Sequence, residues 1–451
     1  MLGNLNGELT KMKRHFSYLA FLLVLTALWA KPAAAQNRYI VRTTKGRSSV
    51  QAFCSQAGCQ VQAALDGNLG QIYLVTAPDN FLANLVNGTL NLLEQVLGIT
   101  SVEADHLLRV PKVPLGRVAS GLYDTAPVNY YGTIVWHGYA AQPAIHIIRL
   151  TDALNGFRVS GAGIVAVIDT GVDTNHPVLH PVLLPGYDFT RNQPGASEWL
   201  DVPSLPNGPV GENEQEQQPA IVQQSTAAVL DQSTAAVLDG KDYTAFGHGT
   251  MTSGLVHLVA PKAKILPLKA FSSDGTGYLS NIVAALYYAI QHNANIVNMS
   301  FDLTTPSPAL SDAVTDANHA GMILVAAAGN EDTNAPVYPA SLNGYVVGIA
   351  STTDDDTRSS FSNYGSADVW IAAPGENIVS TYPGGTYASA SGTSFSSPLV
   401  AGTAALLLNA KQPINETQAA NALEHARLLT PDLNHGRLDV YQAISAWLLA
   451  H

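Results

Sequence analysis

Apolar positions along this 451-residue chain fall into two patterns. Beyond Ile145 they form short unbroken runs: GIVAVIDTG at Gly163–Gly171, IVNMS at Ile296–Ser300 and MILVAAAGN at Met322–Asn330. Runs of this length without alternation suit parallel strands buried on both faces. Met251–Val256 reads as a small-residue helix, and the segment opening Leu399-Val400-Ala401-Gly402 as a long apolar one. Pro398 is expected in the first turn of that helix, where backbone N–H groups lack a helical acceptor. Such a chain is an α/β protein, and open α/β sheets bind their ligands at the carboxyl ends of the strands.

From Arg38 to Val110 the pattern changes. Tyr39–Val41 is a short strand, Ser49–Ala57 a short helix and Gln71–Thr76 another strand. Asn80–Val96 is an amphipathic helix with Phe81, Leu85, Leu92, Leu93 and Val96 inward, and Ile99–Val102 closes the unit. This βα–ββαβ-like layout predicts a small α+β, ferredoxin-like domain over 36–111.

The N-terminus carries Lys11, Lys13, Arg14 and His15, then the apolar Phe16–Ala30, then Ala33-Ala34-Ala35. A charged head, a short apolar core and an A-x-A site read as a secretory signal over 1–35 and not as an anchor. Met12 is an alternative start. The expected location is therefore secreted, extracellular or periplasmic, with no membrane span in the mature form. Charge is sparse (12%) and net acidic (−12), with no basic patch to argue for nucleic acid. The two cysteines, Cys54 and Cys59, lie in the leading region. Five apart on one helix they are too distant to bridge, whereas a helix ending at Gly58 would permit a local bond, and the sequence leaves both states open.

Three segment ends carry groups that together make a hydroxyl reactive. Ser394 lies in GTSFSSP, Gly392–Pro398, where a helix start directs free N–H groups toward a neighbouring oxyanion. Asp169 ends the first buried run, and His248 sits between glycines in FGHGT, Phe246–Thr250. Taken singly, these are better explained as a cap, a turn aspartate and a structural histidine. Together they supply a nucleophile, a base and a carboxylate to orient the base.

With I-D-T-G-V-D, G-H-G-T and G-T-S-x-S-x-P in the order Asp, His, Ser, the chain resembles the subtilisin-like serine peptidases, or subtilases, over Ile145–Ala450. The resemblance implies a three-layer fold with a mostly parallel central sheet. It also implies a serine endopeptidase that cuts protein or peptide substrates through an acyl-enzyme. It assigns the oxyanion to Asn330 and the Ser394 N–H, although Asn330 alone would equally suit a turn after a strand. Peptide substrate would pair with the strand ending at Ser300 and continuing into Phe301 and Asp302, against an opposite wall at Gly275, Thr276 and Gly277. The pocket floor would be Val337.

The resemblance further implies that 36–111 is an inhibitory propeptide that assists folding, plugs the cleft and is cut away just after Leu107–Pro111. An accessory domain that stays attached is the alternative. Residues 112–144 would be linker and the start of the mature region, and 145–451 the peptidase domain.

Some positions depart from the family pattern. Met251 stands where relatives often carry a second histidine. Gly254–Pro261 leaves no room for a calcium loop, and Val178 replaces an aspartate ligand, so the strong calcium site is expected to be lost and no cofactor is expected. A weaker calcium site elsewhere is left open. Residues 192–242 form a polar insertion with a tandem octapeptide, QSTAAVLD at Gln224–Asp231 and Gln232–Asp239, expected to be a surface loop. Two specificities compete: Val337 would narrow the pocket toward small or medium apolar side chains, while Asp302 and Glu331 would attract basic ones. The rival from another class is a non-catalytic peptide-binding scaffold. A lipase or esterase is disfavoured because no G-x-S-x-G frames Ser394.

Overall fold

The computed structural model describes residues 36–79, 81, 96–110, 119–202, 220–222, 227–229 and 243–450. The expected signal, most of the helix expected at 80–96, the cutting point beyond Val110 and most of the octapeptide insertion lie outside these residues. The chain divides into two units, Met1–Ala63 with Tyr73–Ala104, and Ala64–Ile72 with Asp105–His451.

In the first unit, β1 (Gln36–Thr43), α1 (Arg47–Ala57), β2 (Gln60–Ala64), β3 (Ile72–Pro78) and β4 (Ile99–Ala104) build a sheet in the order β2-β3-β1-β4. That order is ferredoxin-like. β2 has no counterpart in the hydrophobic pattern, because its sequence QVQAA leaves every residue exposed or half-buried. Helix α1 buries Val50, Phe53 and Cys54 into a core shared with Tyr39, Val75 and Phe81. Gly58 ends the helix in a left-handed conformation (φ 77°), and Cys54 and Cys59 are joined by a disulfide across that turn.

In the second unit the first elements are β5 (Leu107–Arg109), the hairpin β6 (Pro127–Tyr130) and β7 (Thr133–Trp136), and α2 (Leu150–Phe157). They are followed by β8 (Ile164–Asp169), β9 (Tyr187–Asp188), β10 (Gln193–Pro194), β11 (Ala220–Val222), β12 (Ala227–Val229) and α3 (His248–Val259). Next come β13 (Lys264–Lys269), β14 (Thr276–Tyr278), α4 (Leu279–Gln291), β15 (Ile296–Met299), α5 (Pro308–His319) and β16 (Ile323–Ala327). The chain ends with β17 (Val347–Thr352), β18 (Ile371–Pro374), β19 (Ile378–Tyr382), β20 (Thr386–Ala390), α6 (Thr393–Ala410), α7 (Glu416–Leu423) and α8 (Val440–Leu449).

The main sheet runs β10-β9-β13-β8-β15-β16-β17-β18 and is parallel from β9 to β18. Helices α3 and α6 pack on each other and on the sheet, and α4 and α5 form a second helical pair against it, giving a three-layer α/β fold. The unbroken apolar runs are strands because helices cover both faces: β15, β16, β17 and β18 have no exposed residue. From β8 the chain winds outward to β13 and then returns to β15 on the other side of β8. Asp169, the last residue of β8, therefore lies at the point where strand order reverses, where such sheets form a crevice.

Three boundaries differ from the sequence reading. From residue 119 onward the supposed linker belongs to the peptidase core: Leu122, Val135 and Tyr139 are buried in one cluster with Val165, Val256 and Leu399. Gln142 fixes this segment by donating to the Val379 carbonyl (2.8 Å) and accepting from the Val379 N–H (3.0 Å). Helix α6 begins at Thr393, so Pro398 lies inside the helix and not in its first turn. Finally, the insertion expected as a surface loop is partly regular. Ala227–Val229 of the first octapeptide pairs antiparallel with β20, which otherwise would present an unpaired backbone edge. Among the described residues, no helix is long and apolar enough to cross a membrane.

Candidate active site

Asp169 and His248 meet because their two glycine turns nest. A Cβ on Gly249 would lie 2.0 Å from the Gly171 carbonyl oxygen, so only glycine lets the start of α3 touch the end of β8. In that contact His248 Nδ1 donates to Asp169 Oδ1 at 2.7 Å. The Thr170 N–H (2.7 Å) donates to the same oxygen and Thr252 Oγ1 (3.1 Å) to Oδ2, so the carboxylate is held from several sides. Both residues are buried. His248 Nε2, on the far side of the ring, is buried and has no hydrogen-bond partner. The imidazole lies against Phe395, with ring centres 5.4 Å apart, which places it beside the first turn of α6.

Ser394 occupies that turn, one residue into the helix, whose N-cap is Gly392. Its Oγ donates to the Ser300 carbonyl at 3.3 Å and is not bonded to His248 Nε2. Pro398 explains a second contact. Lacking an N–H, it cannot bond the carbonyl four residues back, which is that of Ser394. Ser300 Oγ donates to this freed carbonyl at 3.1 Å, and receives a bond from Asn298 Nδ2 at 2.9 Å. The end of β15 and the start of α6 are thus stitched together at Ser394.

Asn330 follows β16. Its Oδ1 accepts from both the N–H and the hydroxyl of Thr393, at 2.9 and 3.0 Å. Its Nδ2 is buried and unpartnered. The structure therefore brings Asp169 to His248, and Ser300 and Asn330 to Ser394 and its neighbour. Phe301 is buried with its ring against Phe271, ring centres 5.3 Å apart. Val337 is buried, and its N–H donates to Asp368 Oδ1 at 3.0 Å. Leu303 and Tyr338 exchange two backbone bonds, of 2.7 and 2.8 Å, joining the segment after Asp302 to the one after Val337. Gly275, Thr276 and Gly277 carry β5 as an antiparallel neighbour, with Gly277 opposite Leu108 and Gly275 accepting from the Val110 N–H at 2.8 Å.

One residue absent from the sequence reading supports the site from behind. Glu198, placed by composition in the insertion, is fully buried. It accepts from Thr170 Oγ1 (2.5 Å), Thr250 Oγ1 (2.7 Å) and the Gly249 N–H (3.1 Å). Burial pushes its carboxyl up to about 7, against the lowering effect of those hydroxyls and Lys269. Lys269, buried beside Asp169 in the sheet, donates to Asp201 Oδ2 and the carbonyls of Thr170 and Phe271 within 2.8 Å. Residues 193–202 are therefore part of the fold, and the insertion begins after them. The only sequence signal was a Glu-Trp-Leu-Asp string within polar surroundings.

Val178, expected to replace a calcium ligand, is buried in the core. Among the described residues no group of three His, Cys, Asp or Glu side chains is arranged to hold a metal ion.

Fold and motifs together define a serine-type endopeptidase, a hydrolase of peptide bonds. The sequence profile of the Subtilase family matches residues 161–440, and the chain belongs to that family. It is 35% identical over 297 residues to thermitase of Thermoactinomyces vulgaris, covering 63% of this chain and 89% of thermitase. It is 33% identical over 361 residues to a thermophilic serine proteinase of Bacillus sp. (strain AK1), covering 76% and 72%. Among solved structures, a cold adapted subtilisin-like serine proteinase matches with a TM-score of 0.48 at 28% identity, covering 62% of this chain and 90% of that one.

Proposed function

We propose that the peptidase works through an Asp169–His248–Ser394 triad and is made as a secreted, self-inhibited zymogen. Ser394 Oγ attacks the scissile carbonyl carbon and its proton passes to His248 Nε2. Asp169 holds the imidazole by Nδ1 and stabilises the imidazolium. The carbonyl electrons move to oxygen, where Asn330 Nδ2 and the Ser394 N–H, free at the helix start, donate to the oxyanion. As the C–N bond breaks, the imidazolium returns the proton to the leaving amine. Water, deprotonated by the same Nε2, then hydrolyses the acyl-enzyme. The observation that carries this reading is the pair of buried, unpartnered nitrogens, His248 Nε2 and Asn330 Nδ2, on side chains whose other polar atoms are fixed.

The zymogen reading rests on β5. Leu107–Arg109 and the Val110 N–H occupy β14 and Gly275 as an extended peptide would, at the end of the region taken as the propeptide, 36–111. The leader over 1–35 is the basis for secretion, and no cofactor enters the scheme.

Labelling with a fluorophosphonate tests both parts. Processed protein should label and its Ser394→Ala variant should not, while the full-length chain should label slowly. No labelling of the processed protein would favour the scaffold alternative. Equal labelling of both forms would remove the inhibitory role.

A further inference from the structure

We propose that the pocket beside Asn330 takes a basic side chain, lysine or arginine, from the substrate residue preceding the cut bond, with Asp302 and Asp368 as its counter-charges. This deepens the endopeptidase reading above and rests on it.

Buried acids in this unit generally have donors. Asp169 has His248 and Thr252, Asp188 has Arg191 and Thr190, and Glu198 has two threonines and a backbone N–H. Asp302 and Asp368 are less well supplied: Oδ2 of each is buried and has no hydrogen-bond partner, as is also true of Oδ1 of Asp66 far along the chain. Asp368 is fully buried, with only its Oδ1 used, by the N–H of Val337. No ion pair among the described residues reaches Asp302, Asp368 or Glu331.

The two acids lie beside the segments expected to line the substrate pocket. Asp302 lies just past the end of β15, two residues after Ser300, whose carbonyl meets Ser394 Oγ. Asp368 is bonded to Val337, the expected pocket floor. Gly329 (φ 96°) closes the third side, directly before Asn330. A Cβ there would lie 2.4 Å from Asn363 Nδ2, 2.7 Å from Glu331 Oε2 and 2.8 Å from Asp302 Oδ2, so both carboxylate oxygens and one amide flank that point. Glu331 is an exposed residue, and its Oε2 accepts from the Asn330 N–H and Asn363 Nδ2, both at 2.9 Å.

Asp302 and Glu331 meet beside Gly329, Asp368 lies behind Val337, and among the described residues no cation pairs with any of them. Burial, then the charges of Glu331 and Asp368, push the Asp302 carboxyl up to about 8, and burial pushes Asp368 up to about 6. An entering ammonium or guanidinium group removes that penalty and satisfies both orphan oxygens, which an apolar side chain cannot do. Val337 then narrows the pocket around the aliphatic stem.

The test is a series of peptide substrates identical except for Lys, Arg, Leu, Phe or Ala before the scissile bond, assayed with processed protein and with Asp302→Asn. The expected result is a higher kcat/KM for Lys and Arg than for Leu. In Asp302→Asn the Lys-to-Leu ratio should fall about tenfold or more, as for loss of a buried charge-assisted bond. The wild-type profile is decisive even if the variant does not fold. Preference for Leu or Phe overturns the proposal, as does an unchanged ratio in Asp302→Asn. Either result leaves the endopeptidase reading standing. Cleavage of no peptide, together with no fluorophosphonate labelling, overturns both.

Discussion

Asn330 divides its side chain between two tasks. Thr393 fixes Oδ1 through two bonds, which orients Nδ2 into a buried position with no partner. A donor held ready in this way acts on charge that develops only during reaction. Asn330→Leu, which removes that donor, should therefore lower kcat by about 10²–10³ while KM changes little. Steady-state assays on one chromogenic peptide decide this, and a rise in KM with kcat unchanged would make Asn330 a ground-state contact. Asn330 was legible because A-A-G-N is a family signature. Thr393 was hidden in its own motif, since nothing local says that a residue before the nucleophile pins a side chain 63 positions earlier. Glu198 was hidden further. Its partners lie 28, 51 and 52 positions away, and a single buried acid in a polar stretch carries no periodicity.

Elements were legible where one physical requirement dominated. Buried parallel strands need unbroken apolar runs, and β8, β15 and β16 were read directly from them. The hairpin β6–β7 is not legible in the sequence because Val135 is its one fully buried residue and the rest are exposed or half-buried. Helix α6 was found but started too late, because Pro398 was taken as a start signal. Its true setting makes the proline useful: it releases the Ser394 carbonyl to Ser300 Oγ. Ser300→Ala should leave that buried carbonyl, and Asn298 Nδ2, without this partner. The expected loss of stability is on the order of 1–3 kcal/mol. Urea unfolding of Ser300→Ala in a Ser394→Ala background, where autolysis is absent, measures it. An unchanged midpoint would mean that another donor takes over the carbonyl.

Across the molecule, buried ionisable groups set opposing trends of stability with pH. Glu198 is pushed up to about 7 and Asp302 up to about 8, so the folded state holds these protons more tightly than the unfolded chain. Their contribution is complete below the ordinary carboxylate range and is lost as pH rises through 7 and 8. His257 behaves oppositely. Burial, then the charges of His176 and Lys262, bring it down to about 4 from 6.5. Its contribution is complete above 6.5 and is lost as pH falls toward 4. Between about 4.5 and 6.5 the His257 trend cancels only part of that of the acids, and only the acids remain above that. For Glu198 the displacement from 4.5 to about 7 corresponds to roughly 3 kcal/mol over its full span. The inactive Ser394→Ala protein should therefore lose stability from pH 6.5 to pH 8, on the scale set by the acid pKa values. Asp302→Asn should flatten that loss most and Glu198→Gln only its lower part, while His257→Gln should steepen the gain in stability as pH falls from 6.5 to 4.5. Urea midpoints at pH values near 4.5, 6.5 and 8 separate these contributions. A protein that gains stability over the upper interval would show that Glu198 and Asp302 ionise without penalty, and that Asp302 Oδ2 has a partner in solution.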